Sequence, residues 1–429
     1  MRTISPRNIL FTIVVFLSIF QRVIVEYVPA FSYYDELLTL GMVALYIVAI
    51  FKQKKLKKRD FKIFALIFIT IICGIFGNLI SGYSRSTSLI LNGILVWFKS
   101  FIIYVCANKY FEQVSVSTNG IIASLAKGTR IFICAAFLGL VLSPITHWGI
   151  EPLAARMRYG LHPYEFIYSQ PALLSWYCIA FAMILSLDNA MGNEQKNFKY
   201  LVLLSIVWAF TLRSRAFVFI LCYWFLYVVL FKVNGQKMPK IRMRYVLAIG
   251  CIALVAAKPA VEKYFLSGTT TRAILLLTGI DIAKRFFPFG AGFANYATSA
   301  SYKVYSPLYY YYGFNHIYRL NEVTDGMTEL TDCYWPAVMG ELGALGLILI
   351  VCILVTVGKS LVQNSKHNRW MFLTVLFLII TSLFSSVATN IYSSDSMVVY
   401  TMIVCIGIHL KTEHMEGTSL VKVSEKSSR

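Results

Sequence analysis

Apolar runs of about 20 residues recur along the whole chain, and no other feature constrains its fold so tightly. A run of that length, wound as a helix, crosses the hydrocarbon core of a bilayer. Only helices and closed barrels satisfy every backbone group there, and these runs are continuous rather than alternating. The sequence therefore predicts an all-α, polytopic membrane protein with about twelve transmembrane helices. Their cores run from 9–25 and 37–51, through 200–212, 216–231 and 245–260, to 396–410. Composition agrees: 58% of the 429 residues are hydrophobic and the mean hydropathy is +0.66. Charged residues make up 14%, where a soluble domain carries about a quarter.

The net charge of +20 does not call for a nucleic-acid partner, because the basic residues lie in short connections between apolar runs. One alternating set of connections holds Arg2 and Arg7, then Lys52 to Arg59, Lys109, Lys196 and Lys199, Lys232 to Arg244, Lys359 to Arg369, and Lys411. Lysine- and arginine-rich connections stay in the cytoplasm, so both termini are expected there. The apolar start resembles a signal peptide, but another span follows at once, and an uncleaved first helix is expected. Cys333 alone lies clearly in a connection, so no disulfide framework is implied. No zinc-type spacing, P-loop or dinucleotide fingerprint is present.

The other set of connections, predicted to face outward, favours arginine over lysine. It holds Arg85, Arg156, Arg158, Arg213, Arg215, Arg272, Arg285 and Arg319. Guanidinium is a planar fork that grips phosphate or carboxylate at two points, whereas an ammonium is a point charge. Two of these connections are long, 143–170 and 261–334, and loops of that length are usually functional. The second reads as the largest soluble piece. Within it, "TTRAILLLTGIDIAKRFFPFGAG" predicts an amphipathic helix ended by Pro288, and a tyrosine-rich stretch suits either sugar faces or a membrane interface.

Four stretches, taken in order, resemble the bacterial O-antigen polymerase and O-antigen ligase superfamily, which includes capsule and exopolysaccharide polymerases. They are "ARMRYGLHPYEF", "LRSRAF", "TTRAILLLTGIDIAKRFFPFGAGFANY" and "TDCYWPAVMGELGALGLI". Ligases of that family carry His-Asn where this chain has Asp332-Cys333. The resemblance implies one integral membrane domain over 1–429 that acts as a metal-independent glycosyltransferase without a cofactor. Its substrate would be an undecaprenyl-diphosphate-linked oligosaccharide. Glycan would pass to a sugar hydroxyl of a second lipid-linked unit at the outer face of the bacterial cytoplasmic membrane. A chain-length regulator and a flippase are the further partner classes it suggests.

Arg156, Arg158, Arg213, Arg215 and Arg272 are then the expected diphosphate ligands, with Asp332 or His316 as base. Each also has a plainer role. Arg213 and Arg215 could snorkel from an outer turn, Asp332 could cap the helix that follows, and His316 could pack among tyrosines. Gly290 and Gly292 read as shaping backbone, and Glu341 as suiting a helix dipole. Lys127 and Arg130, near the inner end of a span, read as topology signals. Two other functions stay open: a ligase, and a lipid-linked oligosaccharide flippase. No internal repeat of the kind many transporters use is visible. The topology is testable by cysteine labelling from outside the cell. Positions near Ser301 should react and positions near Lys57 should not; the reverse pattern would invert the orientation.

Overall fold

The computed structural model describes residues 6–53, 57–113, 117–150, 157–233, 270–322 and 329–410. The expected run at 245–260 and the candidate Arg156 lie outside them. The described residues are helical, with extended pairing limited to two isolated bridges, Ile150 with Tyr164 and Arg158 with Leu161. Helices α1 to α8 are Pro6–Tyr27, Tyr34–Gln53, Lys58–Ser81, Thr87–Gln113, Thr118–Thr146, Pro171–Asn189, Glu194–Ala209 and Ser214–Tyr227. A π-helical turn, Val228–Val233, extends α8. Then come α9 (Thr271–Arg285), the short α10 (Ser299–Lys303) and α11 (Pro307–Tyr311), α12 (Tyr334–Ser365), α13 (Arg369–Ser386) and α14 (Asp395–Ile408).

Nine helices among the described residues are long and apolar enough to cross a membrane. Two further expected spans form as shorter helices. α7 has 16 residues and starts with the polar "EQKNFK", while α14 has 14. α6 and α14 form the centre, buried on almost every face. α6 packs on α5, α7, α13 and α14, while α14 also packs on α1 and α4. A helix apolar all round is the sequence signature of such a position.

Polar pairs tie helix ends together on each side of the bundle. On one side, Lys57 meets Glu112 at 2.8 Å and the Thr118 hydroxyl donates to the His409 carbonyl at 2.8 Å. On that side Arg130 is more than a topology signal. It pairs with buried Asp188, and its Nε donates to Asn197 at 2.9 Å, so one cation locks α5 to the adjoining ends of α6 and α7. On the other side, Arg22 at the end of α1 pairs with Asp395 at the start of α14, 2.6 Å away.

The stretch expected to be the largest soluble piece is in part core. Residues 291–298 and Ser301 are fully or almost fully buried between α3, α4 and α12. The Asn78 side chain pairs with Phe293 as a strand would, donating to its carbonyl and accepting from its amide, both at 2.9 Å. α12 is broken at Gly343, where φ is 65° and ψ is −162°. The loop backbone fills the break: the Ala291 and Gly292 amides donate to the Gly340 and Glu341 carbonyls at 2.8 Å, and the Leu345 amide to Pro288 at 3.1 Å.

Burial of Ser301 also moves the topology reporter: its exposed neighbour Lys303 is the position to label. The tyrosines divide as well. Tyr305 and Tyr309 pack inside, whereas Tyr310, Tyr311 and Tyr318 are exposed.

Gly292 carries a φ of +83°, and a Cβ there would sit 2.2 Å from the Asn78 amide nitrogen. Overpacking and left-handed strain together predict that Gly292→Ala destabilises the fold by about 3 kcal/mol. Gly41, with nothing within 4 Å of its Cβ position, is the control. Thermal unfolding of the two detergent-solubilised variants checks this; equal midpoints would refute the interlock.

Candidate functional site

The turn "TLRSRAF" joins α7 to α8. Arg213 is the N-cap residue of α8 and makes no side-chain cap, and Arg215 lies in the first helical turn. Cations at a helix N-terminus oppose the macrodipole, at a cost of roughly 0.3–1 kcal/mol each. Arg215 is held by an aromatic face instead: its guanidinium carbon lies 4.0 Å from the ring centroid of Trp176 in α6. The Trp176 carbonyl in turn accepts from the Tyr400 hydroxyl at 2.6 Å, so α14 braces the platform.

A second helix brings a third arginine to the same place. α9 starts at Thr270, whose hydroxyl accepts from the Ala273 amide, and Arg272 follows in its first turn. Arg272 donates to Asp332 at 3.0 Å. Arg215 interacts electrostatically with Arg213, Arg272 and Asp332, which places all four groups in one cluster. Asp332 does not cap α12; Cys333 holds that position without a side-chain bond. Its neighbour Glu329 takes bonds from the Thr271 hydroxyl and from Arg319, the latter at 2.5 Å.

Burial raises the Asp332 carboxyl above the usual carboxylate range, against the pull of Arg272 and Arg215. Burial also acts on Glu329, but the bonds from Thr271 and Arg319 and the arginine charges outweigh it and lower the group. Among the described residues, Arg215, Arg272 and Arg319 thus gather around Glu329 and Asp332, with Arg213 beside Arg215. Arginines at two helix N-termini are an arrangement that suits an anion with several oxygens.

The other candidates are placed differently. Arg158 is half-buried in a small hairpin, and Tyr159 of that hairpin packs edge-on to Phe217 of α8 with ring centroids 6.3 Å apart. The hairpin therefore lies beside the arginine turn. His316 is exposed on a 3₁₀ turn, its ring bonded to adjacent Asn315 at 3.1 Å, and does not join the ion pairs. Two further arginines of the predicted outer set are engaged locally: Arg85 with the Val304 carbonyl, and Arg285 over Tyr311.

Sequence reading does not single out Trp176, Tyr400 or Glu329, which are aromatic or acidic residues among many. It also passes over Lys99, although a lysine inside the apolar run 89–107 is itself a signal. Among the described residues, no group of three or more His, Cys, Asp or Glu could hold a metal ion. The chain matches no protein-family model and no curated protein.

Arg272 opposes the effect of burial on Asp332, so Arg272→Gln should move the Asp332 titration to higher pH. Difference infrared spectra against Asp332→Asn, following the protonated carboxyl band, read this directly. An unmoved midpoint would mean that the pair does not set the charge of Asp332.

Proposed function

We propose that the chain is a polysaccharide polymerase that joins undecaprenyl-diphosphate-linked repeat units at the outer face of a bacterial cytoplasmic membrane. In this reading both termini are cytoplasmic. The observation that carries it is the cluster of Arg213, Arg215 and Arg272 at the starts of α8 and α9, with Asp332 paired to Arg272. The acceptor hydroxyl oxygen bonds to the anomeric carbon of the donor sugar. The bond from that carbon to the diphosphate breaks, and its electron pair leaves with the diphosphate. The hydroxyl proton passes to the Asp332 carboxylate, whose charged form the Arg272 pair favours against the effect of burial. Asp332 is preferred to His316 because it lies in the arginine cluster.

Charge on the leaving diphosphate grows as the bond breaks. Arginines fixed beforehand, on the Trp176 face and in the Asp332 ion pair, stabilise that charge with little reorganisation. This gives the arginines the role a divalent metal has in other diphosphate transfers. Losing one such contact should cost on the order of 3 kcal/mol, a rate loss of roughly a hundredfold.

The test is polymer yield and length in a deletion strain expressing variants at matched membrane levels. Arg215→Lys keeps the charge but loses the fork and the flat face on Trp176, so it should fail nearly as badly as Arg215→Ala. Normal polymer from Arg215→Lys would defeat the bidentate contact. Normal polymer from the Arg213→Ala, Arg215→Ala double variant would defeat the site. Mass analysis of the deletion strain's lipid-linked glycans separates the alternatives. Single repeats facing outward indicate a polymerase, finished polymer left on its lipid a ligase, and repeats trapped inside a flippase.

A further inference from the structure

A second polar site lies on the same side of the bundle, built from the end of α1, the start of α2, the middle of α4 and the turn before α14. It is a cavity of about 250 Å³ lined by Gln21, Arg22, Asp35, Lys99, Ser393 and Asp395, among others. Its charges balance, Arg22, Lys99 and Lys303 against Asp35, Glu36 and Asp395. Arg22 holds Asp395 through two bonds, of 2.6 and 3.2 Å; Lys99 holds Asp35 and lies 3.9 Å from Glu36. Lys303 at the rim sits over the Tyr33 ring, 5.2 Å from its centroid. A diphosphate would have to break these pairs, so the cavity suits a neutral ligand.

What the cavity offers instead is hydrogen-bonding capacity that the fold leaves unused. Gln21 is 3% exposed; its amide nitrogen is committed to Asp35 at 3.0 Å, while its Oε1 has no partner. Ser393 is 7% exposed and its hydroxyl also has no partner. Buried polar atoms are normally satisfied, and exceptions that line a cavity mark places where a ligand or water completes the set. An acceptor amide oxygen, a hydroxyl of either sense and fixed ion pairs together match an array of sugar hydroxyls.

The cavity is also connected to the arginine cluster. Asp395 lines it, and five residues further along α14, about 7.5 Å of helix, Tyr400 braces the Trp176 platform under Arg215. We infer that this cavity seats the acceptor, a neutral polyhydroxylated sugar at the end of the second glycan, while the arginines hold the donor diphosphate. The role as acceptor rests on the polymerase reading; the affinity for sugar does not.

The experiment is a binding titration on the full-length protein in nanodiscs. The probes are methyl hexopyranosides and single repeat units cut from the strain's own surface polysaccharide. Ser393→Ala removes a hydroxyl that the fold does not use, so thermal unfolding should be unchanged while binding weakens about fivefold, the worth of one neutral hydrogen bond. Val25→Trp, at the cavity wall, should abolish binding while undecaprenyl diphosphate still binds.

Equal binding by wild type and both variants, or no saturable binding by wild type, would overturn the inference. Sugar binding that responds to the variants, in a chain whose deletion strain accumulates no repeats, would instead sink the polymerase reading and keep the sugar site.

Discussion

The Glu341 carboxylate is the point on which one half of the molecule turns. It is fully buried and takes three neutral donors: the Trp97 indole at 2.8 Å, the Thr298 hydroxyl at 2.7 Å and the Tyr296 amide at 3.1 Å. A buried carboxylate without such partners would be too costly to keep, and leaving even one donor unpaired costs about 1–3 kcal/mol. These three bonds join α12 to α4 and to the loop at 296–298. Two residues further on, the break at Gly343 admits the backbone of Gly290, whose added Cβ would lie 2.5 Å from the Gly343 amide. Carboxylate and glycines thus make one joint, and a side chain at either glycine would close it.

That joint reaches the candidate site through α9. The helix runs directly into the interlocked loop, and it packs along α12 closely enough that a Cβ on Gly279 would meet the Pro336 carbonyl at 2.9 Å. Its other end carries Arg272, and the residues just before α12 carry Asp332. With α9 fixed against α12, Arg272 and Asp332 come together without a loop having to find its own conformation. A charge cluster acts most strongly when it is fixed in advance, and a long structureless loop could not supply that.

Much of this was legible in the sequence, and the misses have physical reasons. Each expected apolar core within the described residues coincides with a helix, because a bilayer demands a run of that length whatever the tertiary context. The helix at 271–285 and its stop before Pro288 follow from the local pattern as well. Burial of 291–298 does not: "AGFANYAT" is small, aromatic and polar, which reads as a surface loop until Asn78 and Glu341 satisfy its backbone. Those partners are distant in sequence, and periodicity carries no information about them. Asp332 illustrates the same limit. Its place just before a helix favours a cap, yet the charge of Arg272, 60 residues upstream, outcompetes a cap bond. Arg213 and Arg215 stood out because arginine is under-used on the side the charge rule assigns to them, a signal independent of fold.

The two polar sites divide their charges unequally, and the division follows from the helix ends that build them. At the arginine cluster two N-termini add their partial positive charge to that of Arg213, Arg215 and Arg272, an unfavourable combination. Trp176 offsets part of the strain, since a desolvated cation over an indole face gains about 2 kcal/mol, but a π face cannot neutralise the charge. Only an anion can. In the cavity the start of α14 is capped by the Ser394 hydroxyl and carries Asp395 in its first turn, the sign a helix N-terminus prefers, and Arg22 completes a neutral pair there. The cluster therefore places cations where a helix start favours anions, whereas the cavity places an acid there and leaves the Gln21 Oε1 and the Ser393 hydroxyl without a partner. On the polymerase reading proposed above, the lipid diphosphate would meet the first and the sugar hydroxyl the second, little more than one turn of α14 apart.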